Sequence, residues 1–124
     1  IADTSVKEKY SFDITNEVLD FSPMIRAIVL DIGKGIDEGC ISAKFHNTVA
    51  QGVSDVCRLI RQKNGIEKVV LSGGVFQNEI LLKSVKGELR GQDFKVYSHF
   101  ILPPNDACIG LGQAVIALAR NEKG

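Results

Sequence analysis

The sequence lacks a net charge and lacks a long apolar run. Its 15 Lys and Arg residues balance 15 Asp and Glu residues, so no electrostatic argument favours nucleic acid or an acidic membrane surface. No apolar run approaches the roughly 20 residues that span a bilayer, and the stretch IADTSVKEKY has no apolar signal-peptide core. These absences predict a soluble, cytoplasmic protein that binds neither nucleic acid nor membranes.

Cysteine is scarce, and there is no initiator methionine. Cys40, Cys57 and Cys108 are widely spaced and form neither a CxxC pair nor the even-numbered framework of a secreted protein. We therefore expect free thiols in a reducing compartment. Because the chain starts at Ile1, we expect a piece of a longer protein. Residues 1–124 form a single domain, which can bury roughly two thirds of its unfolded surface.

The carboxyl half has the pattern of alternating strands and helices. IEKVVLSGG reads as a strand that ends in two glycines, and FQNEILLKSVKGELRGQ as a helix with apolar residues at helical spacing. DFKVYSHFIL predicts a second strand, which Pro103 and Pro104 end. The last helix starts near Asn105 or Asp106, and its many apolar residues predict burial on most sides.

The amino half is predicted to be mostly helical. One helix follows Ser22 and Pro23, which suit an N-cap and a first turn. A longer helix carries an apolar stripe from Ile41 to Ile60 and ends at Gly65, which can take a left-handed C-cap. KYSFDIT alternates as a strand does. The order of elements predicts an α/β domain with at least two parallel strands in a narrow, incomplete sheet.

Gly73 and Gly74 lie between a strand pattern and a helix pattern. Without β-carbons they allow a ligand close to the backbone, and the following helix start offers unpaired N–H groups. The loop has neither the Lys and Ser/Thr of a P-loop nor GxGxxG spacing, so a plain tight turn is the alternative. Asn78 can hydrogen-bond ligand hydroxyls or a base edge, or it can merely cap the helix, as can Gln77.

Asp106 lies in PPND, at the start of the last helix. A carboxylate is stabilised at a helix amino end, so capping is one interpretation. The other is a metal ligand, since carboxylate oxygens are hard donors. No neighbouring Asp, Glu or His forms a cluster with it, and the other ligands of a metal would have to come from outside this chain.

Neither histidine belongs to a nucleophile pattern, and the sequence predicts no catalytic residue. His46 and Asn47 lie on the long helix, and either can face a cleft, although a solvated or locally bonded histidine on the helix flank is the alternative. His99 lies in a strand-like stretch without a visible partner. Cys57 belongs to the apolar stripe of the long helix, and Cys108 is a small residue near the start of the last helix. Both positions favour packing over reactivity.

Three motifs together resemble a known family. AKFHNTVAQ, VVLSGGVFQNEILL and PPNDACIGLGQAVIA, in this order, resemble the carboxyl end of the HypF carbamoyltransferases of nickel-iron hydrogenase maturation. Threonylcarbamoyl-transfer proteins and antibiotic O-carbamoyltransferases share GGV with a following asparagine, whereas GGVFQN together with FHNT is similar to HypF in particular. The resemblance runs from YSFDIT to the last helix. It departs from the family at Ala107 and Cys108, where glycines or other small residues are usual, and Cys108 beside a metal-binding Asp is a candidate reactive thiol.

The resemblance implies a fold and a set of site residues. The fold is one ribonuclease-H-like lobe of the actin-like ATPase and sugar-kinase superfamily, an α/β lobe with an incomplete mixed sheet and helices on its faces. Gly73, Gly74, Asn78 and His46 would bind the nucleotide, and Asp106 would bind a divalent metal, Fe or Zn. A His-x-x-x-His pair in the absent first lobe would supply the remaining metal ligands.

The resemblance also implies a reaction. HypF proteins make carbamoyl adenylate from carbamoyl phosphate and ATP, and the two-lobed Kae1-like domain transfers carbamoyl to the carboxyl-terminal cysteine of HypE. This chain would be the second lobe, inactive by itself, with HypE and the remaining HypF domains as partners. The alternatives are a nucleotide- or partner-binding module of the actin-like ATPase superfamily without chemistry, and an O-carbamoyltransferase or threonylcarbamoyl-transfer relative. A further alternative is a piece that forms homodimers through the face that would meet the missing lobe.

Overall fold

The computed structural model describes residues 2–16, 18–99 and 104–121. The strands and helices, in chain order, are β1 (Asp13–Thr15), β2 (Val18–Asp20), α1 (Ser22–Gly33), α2 (Glu38–Asn64), β3 (Lys68–Leu71), a 3₁₀ helix (Gly74–Gln77), α3 (Glu79–Gly91), β4 (Lys95–Ser98), a second 3₁₀ helix (Asp106–Cys108) and α4 (Ile109–Asn121). β1 and β2 pair antiparallel, and β3 and β4 pair parallel. The described part of the chain is therefore mixed α/β, with the predicted parallel pair.

The core lies where α2 and α3 cover the β3–β4 pair. The buried side of α3 repeats every four residues, as its sequence predicts, because successive turns bring such positions to one face. The buried apolar residues of this core are Ala50, Leu71, Leu81, Val85, Leu89 and Phe94. They hold β3 and β4 against the two helices, so the carboxyl ends of both strands have a fixed support.

The most buried positions of α2 are small residues rather than the predicted apolar stripe. Ala50 and Ser54 are fully buried, whereas Phe45 and Ile60 of the stripe are exposed by 37% and 41%. Small residues let neighbouring segments approach the helix axis: a β-carbon at Gly52 would lie 3.1 Å from the Phe21 ring. The carboxyl end agrees with the prediction, since Gly65 has φ 67° and its N–H donates to Arg61 O.

The amino-terminal segment forms less strand than KYSFDIT suggests. Only its end, Asp13–Thr15, is a strand, and it pairs with the unpredicted β2. Asn16, at φ 51°, follows β1 in a left-handed conformation that Asn tolerates in tight turns. α1 begins at Ser22, but its N-cap position is Phe21. Ser22 is therefore not the N-cap, and its N–H instead donates to Asp20 Oδ1 at 2.8 Å.

The predicted burial of the last helix is wrong. Every residue of α4 is exposed, including Ile109 by 53% and Leu118 by 65%. On α1, Val29 and Ile32 are likewise exposed by 63% and 62%. An apolar helix face is buried only where another surface covers it, and the described residues do not cover the apolar faces of α1 and α4. The predicted strand end near Pro103 lies outside the described residues.

No helix in the described ranges combines the length and the apolar content that crossing a bilayer requires.

Candidate functional site

The strand-to-helix connection after β3 has one glycine that the backbone requires and one that it does not. Gly73 has φ 105°, a conformation that side chains rarely adopt. Gly74 is not among the glycines with positive φ, and a β-carbon there would have no described atom within 4 Å. Neither backbone strain nor packing within the described residues explains Gly74. The space beside it is open to a ligand or to another part of a larger protein.

Asn78 is the N-cap of α3, one position before the helical turn in which the sequence predicts it. Its Oδ1 accepts hydrogen bonds from the N–H groups of Ile80 and Leu81, both at 3.1 Å. Its Nδ2 lies 2.9 Å from Nε2 of His46. The capping interpretation is therefore correct for the oxygen of the side chain, while the amide nitrogen joins α3 to α2.

The hydrogen bonds around His46 define its tautomer. Nδ1 lies 2.7 Å from the Ser42 carbonyl oxygen, which can only accept, so Nδ1 carries the proton. Nε2 of the neutral ring then accepts from the Asn78 amide. Asn78 Nδ2 has two N–H groups and donates one to His46, so the side chain has one N–H left for a ligand. His46 thus orients Asn78 and has no ring nitrogen left for a nucleotide while this arrangement holds.

His46 and Asn47 do line a groove, of about 260 Å³, between α2, the start of α3 and the amino-terminal segment. Asn47 has a structural role there: its Nδ2 donates to the carbonyls of Val6 at 3.0 Å and Glu8 at 3.2 Å. These bonds attach the segment before β1 to α2. The predicted cleft position holds for both residues, but their polar atoms are used in contacts within the chain.

Asp106 is not the cap of the last helix. The side chain of Asn105 accepts from the Ala107 N–H at 3.1 Å and caps the 3₁₀ turn instead. Asp106 is exposed, and no described residue forms an ion pair or hydrogen bond with its carboxylate. The capping interpretation of Asp106 is wrong, and the carboxylate is free to bind a ligand from outside. Nowhere in residues 2–16, 18–99 and 104–121 do three His, Cys, Asp or Glu side chains group as a metal site.

A pair that the sequence did not indicate lies at the carboxyl edge of the sheet. Ser72 Oγ is 2.8 Å from His99 Nε2, so the expectation that His99 lacks a partner is wrong. Leu71 and Ser98 are partners in the parallel register, and Ser72 and His99 are the next residue of each strand. Each residue directly follows one of two parallel strands, and this shared position is the one signal that predicts the pair. The signal can be used only when the register of the two strands is known.

The cysteines have different surroundings. Cys57 packs against the core, and burial raises the pKa of its thiol, which suits an inert side chain. Its predicted core position is confirmed. Cys108 is half-buried, and its Sγ donates to Asn105 O at 3.1 Å. All three cysteines are free thiols.

A polar cluster away from the glycines fixes the helices relative to the amino-terminal segment. The hydroxyl of buried Tyr10 donates to Asp31 Oδ2 at 2.9 Å, and Lys44 Nζ donates to the same oxygen at 3.2 Å. Desolvation, followed by the bond to Asp31, raises the pKa of Tyr10 to about 12. The hydrogen bond from Tyr10, followed by that from Lys44, lowers the pKa of Asp31. The Asp31 carboxylate is paired with Lys44 and accepts from Tyr10 within the cluster, so we interpret the cluster as structural.

The fold and the motifs define a transferase subdomain. The chain belongs to the family described as "Carbamoyltransferase, Kae1-like Domain, second subdomain", whose profile matches residues 1–113. The predicted resemblance to HypF is thereby confirmed. Among individual proteins, the chain is 35% identical over 111 residues to "Carbamoyltransferase HypF" of Synechocystis sp., covering 86% of this chain and 14% of that protein. It is 31% identical over 102 residues to "Carbamoyltransferase HypF2" of Cupriavidus necator, covering 82% of this chain and 12% of that protein.

Two solved structures share the fold. The chain superposes with a TM-score of 0.84 and 47% identity on full-length HypF in the phosphate- and nucleotide-bound form, covering 90% of this chain and 15% of that one. The HypF of T. kodakarensis gives a TM-score of 0.77 at 21% identity, with 89% of this chain and 14% of that one covered, which supports the fold alone. The chain thus spans a small part of the proteins that it matches.

Proposed function

We propose that this chain is the second lobe of a nucleotide cleft in a HypF-type carbamoyltransferase, with the ribonuclease-H-like architecture of the actin-like ATPase superfamily. The observation that carries the proposal is Gly74. Helix glycines such as Gly87 are equally open, but Gly74 lies in the turn between the carboxyl end of β3 and the Asn78 amide, and this position points to a ligand. The similar full-length HypF described in a phosphate- and nucleotide-bound form supports nucleotide as the ligand.

Each residue of the turn has its own part in the proposed site. Gly73 forms the turn through its positive φ, and Gly74 gives the ligand room against the backbone. Asn78 offers one N–H donor, which suits a ribose hydroxyl or an acceptor on the base edge. His46 acts through Asn78, since its Nε2 accepts from that amide and fixes the direction of the remaining N–H.

Asp106 is the proposed contribution of this lobe to a metal site. An exposed carboxylate that has no partner among the described residues fits one position in the coordination of a divalent cation such as Fe or Zn. The described residues do not supply a cluster of ligands, so a first lobe would contribute the His-x-x-x-His pair. When bound, the cation would offset negative charge on the ligand.

In the proposed reaction, the full protein hydrolyses carbamoyl phosphate to carbamate and inorganic phosphate, and the carbamate oxygen displaces pyrophosphate from ATP to give carbamoyl adenylate. The thiolate of the carboxyl-terminal cysteine of HypE attacks the carbamoyl carbon, and the bond to the AMP phosphate oxygen breaks. The lobe contributes binding and orientation, which lower the barrier without a protein nucleophile. The free thiols of Cys40, Cys57 and Cys108 fit a reducing cytoplasm as the site of this reaction. The chain by itself is then inactive.

The test is Gly74→Ala in the full-length protein. We expect loss of carbamoyl transfer to HypE, by roughly tenfold or more, because a methyl group enters the space proposed for the ligand. Stability should not fall, since the new methyl meets no described atom. The matched control is Gly87→Ala, an exposed helix position that is equally open. Gly87→Ala should keep full transfer and stabilise α3 by about 0.5–1 kcal/mol.

The same experiment decides against the proposal in one case. If Gly74→Ala transfers carbamoyl as fast as the unchanged enzyme and binds AMP with the same affinity, Gly74 is part of a plain turn.

The exposed helices favour a second candidate function, in which the chain is an association module. The apolar residues on α1 and α4 would bind a partner lobe in the full protein, or a second copy of the chain in isolation. Sedimentation of the chain at increasing concentration tests binding of a second copy: a dimer supports it, and a strict monomer contradicts it and leaves the partner lobe as the occupant.

A further inference from the structure

The Ser72–His99 pair lies outside the set of residues proposed above for the nucleotide. Ser72 is exposed and His99 is half-buried, at the ends of the neighbouring parallel strands β3 and β4. Ligands of α/β sheets bind beyond the carboxyl ends of parallel strands, because the strand ends leave side chains and loops free there. Ser72 also directly precedes the open turn at Gly73 and Gly74.

The sheet itself does not depend on this hydrogen bond. Backbone pairing from Lys68 to Leu71 already joins β3 to β4, and Leu71 is packed in the hydrophobic core. A hydrogen bond between an exposed hydroxyl and an imidazole adds on the order of 1 kcal/mol or less. Its position at the sheet edge beside an open turn therefore points to a ligand.

We propose that Ser72 and His99 form a contact pair for a phosphoryl group, at the other end of the glycine turn from Asn78. When His99 Nε2 donates its proton to Ser72 Oγ, the serine hydroxyl is free to donate its own proton to a phosphoryl oxygen. The imidazole and the hydroxyl together then present a fixed donor to an anion. The proposal rests on the proposed nucleotide cleft. It adds that Ser72 and His99 contact a phosphoryl group at one end of the turn, while Asn78 contacts the ribose or the base at the other.

The composition of the pair favours phosphate over a metal ion. A metal requires several ligating side chains, and among the described residues no three His, Cys, Asp or Glu group in this way. A phosphoryl group needs only donors, and the Ser72 hydroxyl, which the His99 imidazole orients, provides one. The same chemistry occurs in inorganic phosphate and in a nucleotide, so both are probes.

The test uses NMR of the 124-residue chain, which has two histidines. Spectra of the ring nitrogens report His46 and His99 separately, and His46→Gln assigns the two sets of signals. We titrate inorganic phosphate, AMP, adenosine and Zn²⁺ into the chain. Phosphate and AMP should shift the His99 ring signals saturably, whereas adenosine should leave them unchanged. His46 signals should not respond to inorganic phosphate.

Two variants complete the design. Ser72→Ala should weaken the phosphate response of His99 by roughly tenfold to a hundredfold, which corresponds to one hydrogen bond to a charged group. The matched control is Ser11→Ala, at an exposed serine before β1. This substitution should leave the phosphate response of the His99 ring signals unchanged. Thermal unfolding of both variants checks that the fold is kept. His99→Gln provides a further variant, in which the AMP-induced shifts of the Gly74 and Asn78 amides should weaken.

The outcomes separate this inference from the proposed function. If AMP and adenosine shift the Gly74 and Asn78 amides alike while His99 stays unchanged, the nucleotide cleft stands and the phosphoryl pair is wrong. If His99 responds to Zn²⁺ and not to phosphate, or to none of the four probes, the pair is also wrong. The Gly74→Ala transfer assay decides the proposed function independently.

Discussion

At the residue scale, Tyr10 shows how single polar atoms fix the segment before β1. Its N–H donates to Oγ1 of the buried Thr48 at 2.8 Å, and its hydroxyl reaches Asp31 on α1. The side chain is only 9% exposed. One residue thereby connects α1, α2 and the amino-terminal segment, and the ionisation of its hydroxyl is coupled to folding.

This coupling predicts an alkaline loss of stability. The folded-state pKa of Tyr10 is raised from 10.0 to about 12. The protonated Tyr10 hydroxyl therefore makes its full contribution to the stability of the fold below about pH 10, and this contribution is lost as the pH rises through about 12. Tyr10→Phe removes this part of the pH dependence. The free energy of unfolding, measured with denaturant, should therefore fall more steeply between about pH 10 and pH 12 in the wild type than in Tyr10→Phe. Tyr97→Phe, at a side chain that is 53% exposed, is the control. Parallel curves for wild type and Tyr10→Phe would contradict the prediction.

At the scale of elements, the start of α3 combines a structural and a proposed binding role in one side chain. Asn78 Oδ1 caps the helix, while Nδ2 contacts His46. The sequence left capping and ligand binding as alternatives because both require the same residue type at the same position. The structure assigns the oxygen to the cap and leaves one N–H, which makes the two roles separable by mutation.

Asn78→Asp and Asn78→Ala should therefore differ. Asp keeps an oxygen acceptor at the N-cap and adds a charge that the helix dipole favours, so stability should be kept. Ala removes the cap and should destabilise the chain by roughly 1 kcal/mol. Both remove the N–H donor, and both should weaken AMP binding, as measured by titration calorimetry. Unchanged AMP binding by Asn78→Asp, with unchanged stability, would limit Asn78 to capping.

At the scale of the whole molecule, two helices have apolar faces that the described residues leave exposed. Val115 and Leu118 of α4 are exposed by 57% and 65%, and they share a face because they are three residues apart. α1 presents similar side chains, such as Val29. The family profile describes a second subdomain, and a first subdomain is the partner that we propose for these faces.

Replacing Val115 and Leu118 with Gln tests that role. The unfolding free energy of the chain should change by about 0.5 kcal/mol or less, because exposed side chains contribute little within the chain. Self-association in sedimentation should decrease, and the full-length protein should lose transfer activity. Lys86→Gln on α3 is a polar control. A large loss of chain stability would show that α4 packs within this chain, and full transfer activity would exclude a role in joining the lobes.

The sequence by itself determined the features that depend on neighbours along the chain. The repeat of Leu81, Val85 and Leu89 predicts the buried side of α3, and Gly65 predicts the end of α2, because periodicity and caps are local. The motifs FHNT, GGVFQN and PPND identified the family, since they occur in a fixed order.

Only the tertiary structure decided which distant side chains meet. His46 contacts Asn78, and Ser72 contacts His99, because α2 packs beside α3 and β3 pairs with β4 in one register. Sequence separation carries no information on these distances. The burial of α4 was mispredicted for the same reason: an apolar helix requires a covering surface, and its own pattern does not say which segment provides that surface.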